Sequence, residues 1–141
     1  MDIVEFMTPL MGKWQGVNKL RLRPTDDYAE SPATAEVSQT AKGFVTIAYT
    51  WFDGNEPQDG LLLLDGAAKA VWVDSWHSGE SWMTFNGQLD AGILKLTGSY
   101  PAPEGPDWGW LIHVAPGDRQ ITMHNVVPGA EPYQVVEATY N

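Results

Sequence analysis

Asp74 is the side chain in this sequence best placed to do chemistry. It sits in Val71-Trp72-Val73-Asp74-Ser75-Trp76-His77, with a tryptophan two residues before it and another two residues after. Residues two apart on an extended strand share a face, so Trp72, Asp74 and Trp76 are expected to point the same way. A carboxyl among indole rings loses solvation and should resist ionisation. Proteins use this to keep a carboxylic acid protonated for acid catalysis or hydrogen-bond donation. The structural alternative is that Asp74 accepts from a backbone N–H or an indole, or that a bulge turns it outward. If Asp74 is an acid or base, Tyr140 or Tyr49 is its expected partner, within hydrogen-bond reach or through one water.

The remaining chemistry is sparse. The chain has 141 residues and no cysteine, which removes disulfides, thiolate metal sites and thiol nucleophiles. It contains three histidines, and all are expected on the outer face: His113 and His124 as diagonal neighbours on one hairpin, His77 beside a turn. Solvated surface histidines are the reading adopted, with no metal and no cofactor. There is no Gly-rich phosphate loop, no Gly-x-Ser-x-Gly elbow, no His-Glu-x-x-His and no calcium loop, since Asp59-Gly60 and Asp65-Gly66 read as turns.

Turn signals punctuate the chain about every ten residues, from Arg23-Pro24 through Lys42-Gly43, Asp53-Gly54, Asp65-Gly66, Ser78-Gly79 and Ala91-Gly92 to Pro116-Gly117-Asp118 and Pro128-Gly129. Short segments rich in β-branched and aromatic residues lie between them. The rhythm predicts one all-β domain over residues 1–141, an antiparallel up-and-down barrel of about ten strands. Asp2 and Glu5 imitate a capping box, and Ile3, Phe6 and Leu10 lie near one helical face, so a short N-terminal helix should plug one end.

Tight hairpins assign the faces. A turn at Ser78-Gly79 sets Trp72 opposite Phe85, Asp74 opposite Met83 and Trp76 opposite Ser81, all inward. Ala91-Gly92 continues that face through Leu89, Leu94, Leu96 and Tyr100. Gly117-Asp118 groups Trp110, Ile112 and Val114 with Ile121, Met123 and Asn125. The last strand should present Gln134, Val136, Ala138 and Tyr140 inward. The strand 44–52 is apolar on both faces and takes no orientation from sequence. Asn18, Asn125 and Gln134 are inward amides that must bond to each other, to water or to a ligand.

Seven tryptophans, five tyrosines and four phenylalanines suit both a core and an apolar pocket. The formal net charge of −10 repels phosphate backbones and anionic headgroups, so neither nucleic acid nor a membrane is expected as partner. The first residues carry neither a basic leader nor a sustained apolar run, and the chain reads as cytoplasmic.

Leu10-Met11-Gly12-Lys13-Trp14 resembles the Gly-x-Trp opening of calycin barrels, which include lipocalins, fatty-acid-binding proteins and nitrobindin-like domains. The resemblance implies that the glycine ends a leading helical turn and that Trp14 packs across the barrel floor. The segments Val73–His77 and Tyr100–Trp110 are similar to small bacterial calycin-like domains of unassigned function. Two departures separate the chain from fatty-acid carriers: about seven residues between its first strands leave no room for a helical lid, and no arginine faces inward on the last strand. An outward His77 also cannot supply the inward axial ligand that a nitrobindin-like haem would need.

The reading taken forward is a binding barrel for a small, largely apolar molecule, contacted by Trp72, Trp76, Met83, Phe85 and Trp110 and oriented by Asp74, Asn125 and Tyr140. Two others stand beside it. One is an isomerase, cyclase or decarboxylase on the same scaffold with Asp74 as acid/base and Tyr140 or Tyr49 beside it. The other is an interaction module with a filled core that forms a homodimer through Leu61, Leu63, Val71 and Val73.

Overall fold

The computed structural model describes residues 2–141. Helix α1, Ile3–Met7, is capped by Asp2, whose carboxylate accepts from the Val4 and Glu5 backbone N–H groups at 3.0 and 3.2 Å. A single 3-10 turn, Thr8–Leu10, leads into β1, Gly12–Leu20. Nine further strands follow. They are β2 Ala29–Thr40, β3 Phe44–Asp53, β4 Glu56–Leu64, β5 Lys69–Asp74 and β6 Met83–Asp90. The last four are β7 Ile93–Tyr100, β8 Trp108–Ala115, β9 Gln120–Val126 and β10 Tyr133–Tyr140.

Each strand pairs antiparallel with its sequence neighbours, and β1 pairs with β10, so the sheet closes into a ten-stranded up-and-down barrel. Among the described residues this closure leaves no strand edge free. At one end lie α1 and the short turns β2–β3, β4–β5, β6–β7 and β8–β9. Ile3, Met7 and Leu10 are fully buried there, each contributing about 1.5–3 kcal/mol by burial. The Trp14 indole donates to the Leu10 carbonyl at 2.8 Å and carries the Arg119 guanidinium 4.4 Å above its ring. Gly12 opens β1 soon after the turn, and Trp14 is partly buried against the core. The opposite end carries the longer connections, 21–28, 75–82, 101–107 and 127–132.

The alternation read from sequence holds along most strands. Leu94, Leu96, Ile112, Val114, Ile121 and Met123 are buried inward. Their cross-strand pairs are the expected ones, with Leu89 opposite Leu94 and Val114 opposite Ile121. β3, which sequence left unoriented, turns Val45, Ile47, Tyr49 and Trp51 inward.

Two local expectations are corrected. Ser78-Gly79 is not a two-residue turn: Trp72 pairs with Met83 and Ala70 with Phe85. The shift of two residues keeps Trp72, Met83 and Phe85 inside, but it lengthens the connection to Ser75–Trp82 and takes Trp76 out of the ladder. In the last strand a bulge lies between Gln134 and Val136. It lets the adjacent Val135 and Val136 both bury, and it moves Gln134 to the outer face, where its side chain donates to the Tyr28 hydroxyl at 3.1 Å. No helix among the described residues is long and apolar enough to cross a membrane.

Candidate functional site

Tyr49, Gly60 and Asp74 are cross-strand neighbours on β3, β4 and β5: Tyr49 pairs with Gly60, and Gly60 with Asp74. The middle position has to be glycine. A Cβ on Gly60 would overlap Cζ and Oη of Tyr49, so the missing side chain is the space through which the phenol reaches across to the carboxylate. Tyr49 Oη donates to Asp74 Oδ2 at 2.5 Å and accepts from Trp72 Nε1 at 2.8 Å.

The other carboxylate oxygen ends the strand. Asp74 Oδ1 accepts the backbone N–H groups of Trp76 and His77 at 2.8 and 2.9 Å. An aspartate that binds the amides two and three residues ahead offers the chain an alternative to the ladder. Ser78 reinforces the turn, accepting from the Asp74 N–H at 2.8 Å and donating to its carbonyl at 3.0 Å. The backbone therefore rolls over Asp74 and brings the next imidazole in above it. His77 Nδ1 lies 3.0 Å from Asp74 Oδ1, and the His77 and Asp74 side chains are 1% and 0% exposed.

This overturns the outward placement of His77. Its ring sits in a cage of four tryptophans, with centroids 4.6 Å from Trp76, 5.3 Å from Trp110, 5.5 Å from Trp51 and 6.0 Å from Trp72. The expectation that Asp74 resists ionisation is overturned as well. Burial pushes its pKa up. The hydrogen bond and charge of His77, the Tyr49 hydroxyl and the His77 backbone N–H together outweigh burial and hold it below the ordinary carboxylate value. Tyr49 moves the other way. Burial, then the charge and hydrogen bond of Asp74, raise it well above an ordinary phenol, so it stays a donor. With Asp74 ionised, the His77 nitrogen facing it must carry hydrogen: Nδ1–H donates, and Nε2 is left as the free end of the ring.

Nε2 of His77 has no hydrogen-bond partner among the described residues, and neither has Nδ2 of Asn18. Both residues line one small cavity of about 10 Å³, together with Tyr49, Trp51, Tyr140 and the apolar side chains of β9 and β10. Asn18 is 3% exposed and comes from β1, across the barrel from the His77 loop. The room suffices for about one water. It is far below the roughly 300–1,000 Å³ of a small-molecule pocket, and a porphyrin does not fit it.

The residues singled out from sequence divide accordingly. Trp72, Asp74 and Tyr140 are at the network or its cavity. Burial pushes the Tyr140 phenol up strongly. Trp76 and Trp110 wall the imidazole, and the Trp76 indole donates to Asp53 at 3.1 Å. Phe85 packs edge-on against Trp72 at 5.8 Å, and Met83 is beside it, both filling the core away from the cavity. Asn125 pairs with Trp110 and Tyr133, half-buried and outside the network, its Oδ1 without a partner among the described residues. His113 and His124 are diagonal neighbours on the outer face, centroids 5.4 Å apart, with pKa values lowered first by partial burial. Leu61, Val71 and Val73 are exposed on the outside of β4 and β5.

The sequence profile of the family described as "Protein of unknown function (DUF1579)" matches residues 4–141. The chain belongs to the DUF1579 family. No curated protein matches this DUF1579 chain. Among solved structures it is similar to the crystal structure of Rv2717c from M. tuberculosis, with a TM-score of 0.62 at 14% identity, covering 98% of this chain and 95% of that one. At that identity the likeness concerns the fold: this DUF1579 member and Rv2717c share a barrel architecture.

Proposed function

We propose that the protein is a binding barrel for a very small, polar molecule held at the His77–Asn18 cavity. This narrows the ligand expected from the aromatic composition. The rings that were to line a pocket pack on one another instead, Trp72 against Phe85 at 5.8 Å and Trp110 at 5.9 Å, and the apolar interior is already full.

The reading is carried by two buried polar atoms, His77 Nε2 and Asn18 Nδ2, unpartnered among the described residues, on two residues that line the same cavity. A buried polar group without a partner costs about 1–3 kcal/mol, and the Asp74 clamp prevents His77 from turning away to find one. Asn18 offers N–H. His77, with its other nitrogen committed to Asp74, offers at Nε2 a lone pair when the ring is neutral and an N–H when it is charged. A group that accepts from the first and donates to the second, such as a hydroxyl, satisfies both. The 75–82 connection that carries His77 lies at the long-loop end of the barrel, and we propose it as the route in.

The test is a titration of isotope-labelled protein with a panel of few-atom hydroxyl compounds, following backbone amide and indole resonances. Shifts confined to Asn18, Trp51 and the 76–78 segment, abolished in Asn18→Leu, are the expected result. Shifts spread over the outer face, or none at any concentration, reject the reading.

A further inference from the structure

A second recess lies at the long-loop end of the barrel, outside the His77–Asn18 cavity. The ladder between β6 and β7 ends at Asn86–Thr97, while β6 still pairs with β5 as far as Met83, and β7 with β8 as far as Tyr100. Beyond that point the two strands and the 75–82 connection border an open cleft of about 380 Å³. This volume falls within the roughly 300–1,000 Å³ of small-molecule sites. The connection contributes Ser81 and Trp82, β6 contributes Thr84, β7 contributes Ser99 and Tyr100, and Pro101 follows. His77 and Ser78 also border it, but both are committed to Asp74.

Trp82 is 71% exposed, more than any other large apolar side chain among the described residues. A ring with that much free surface gains when the apolar face of a ligand covers it. Ser81, Thr84 and Ser99 are exposed as well, and each hydroxyl can both donate and accept. Three hydroxyls from three segments beside one open indole match a molecule that is apolar on a face and carries hydroxyls around its edge. Charge narrows the class further. No lysine, arginine, aspartate or glutamate lines this cleft, in a chain with 18 acidic and 8 basic residues. Two outer grooves of similar size instead include charged groups, Asp65 and Lys69 in one, Lys13, Glu36 and Asp59 in the other.

We infer that this cleft binds a neutral sugar, with the C–H face of the pyranose ring on the Trp82 indole and the sugar hydroxyls bonded to Ser81, Thr84 and Ser99. A charged sugar finds no counter-ion in the lining, and an anionic one also meets the net charge of −10. A purely apolar ring takes water from the three hydroxyls and returns no hydrogen bond. The site is separate from the His77–Asn18 cavity, whose space of about 10 Å³ holds about one water and no sugar ring. None of Ser81, Trp82, Thr84 and Ser99 lines that cavity, so the inference stands whether or not the cavity takes a ligand.

The experiment is saturation-transfer NMR with methyl β-glucopyranoside, methyl β-galactopyranoside and N-acetylglucosamine. Glucuronate and benzyl alcohol serve as the anionic and the aromatic control. In parallel, isotope-labelled protein is followed at the Trp82 indole N–H and the backbone amides of 78–84 and 99–101. The expected result is transfer to the ring C–H protons of at least one neutral sugar, shifts at those positions, and an affinity that does not change with salt. Trp82→Ala, a surface change that should leave the urea midpoint where it is, weakens binding about tenfold. Ser81→Ala combined with Ser99→Ala weakens it several-fold, and Asn18→Leu leaves it unaltered. Absence of transfer to all three neutral sugars overturns the inference, as does binding that Trp82→Ala leaves unchanged. Tighter binding of glucuronate makes the cleft an anion site, and preference for benzyl alcohol makes it an aromatic one; either result overturns the inference too.

Discussion

Asp74→Asn isolates the ionised centre of the network. The substitution keeps the shape of the side chain and one acceptor oxygen, which can still serve the Trp76 and His77 amides. It replaces the acceptor facing Tyr49 with an N–H₂ group, so the Tyr49 O–H, bonded at 2.5 Å in the native protein, loses its acceptor in a fully buried place. It also exchanges the anion facing His77 Nδ1 for a neutral amide. A hydrogen bond to a charged group contributes about 1.5–3 kcal/mol and an orphaned buried donor costs about 1–3 kcal/mol. With overlap between the two, the expected loss is about 2–4 kcal/mol at pH 7. Because folding lowers the Asp74 pKa, the carboxylate's contribution is complete above its unfolded value of about 3.9 and fades as pH falls through the folded value. Urea unfolding of both proteins at pH 7, 5, 4 and 3 measures this directly, with the slope m checked for constancy. The gap between wild type and variant should be undiminished at pH 5 and should shrink toward pH 3. A gap under about 0.5 kcal/mol at pH 7, or one that widens on acidification, refutes the claim that Asp74 is held ionised by its partners.

Gly60→Ala should displace the Tyr49 ring and cost about 2–4 kcal/mol, whereas in a Tyr49→Leu background the same change should cost under about 1 kcal/mol; a double-mutant cycle by urea unfolding reads the coupling. Ser78→Ala removes the hydroxyl that both accepts from and donates to the Asp74 backbone, and should cost about 1–2 kcal/mol. It should also speed hydrogen exchange of the Asp74 and His77 amides before those of β9. Asp2→Ala leaves the Val4 and Glu5 N–H groups uncapped and should lower stability by about 1 kcal/mol, seen as a shift in urea midpoint with m unchanged.

The barrel was legible because a meander writes itself locally: short strands, frequent turns, and hairpins whose registers check one another. Asp74 was placed inside correctly because the misjudged hairpin register was off by two residues, and a shift of two preserves the face. His77 was misplaced by the same rule. Alternation continues only while the ladder does, and Asp74's own carboxylate ends it by binding the amides of Trp76 and His77. The raised acidity of Asp74 was missed for a related reason: the rings nearby are visible in sequence, while the backbone donors and the imidazole are not. Tyr49 could be suspected but not oriented, since β3 is apolar on both sides. Gly60, isolated before the leucine run Leu61–Leu64, was the available sign of a large side chain crossing from a neighbouring strand. Adjacent Val135 and Val136 carried a similar sign, because two consecutive residues cannot both bury in a regular strand.

The seam between β1 and β10 gives the barrel an asymmetric folding problem. All nine remaining strand contacts join sequence neighbours, the longest of their connections being 21–28 and 75–82. The seam alone joins Gly16 to Tyr140, across almost the whole chain. Its closure entropy is met once, late, after the local hairpins have made the ends near neighbours. Gly16 lets the two backbones meet there, since a Cβ would overlap the Thr139 carbonyl. A bulkier residue at this position should therefore slow the final closing step more than it disturbs any hairpin. The population that accumulates would be an open, curled sheet with two unpaired edges, the form most exposed to pairing with another chain.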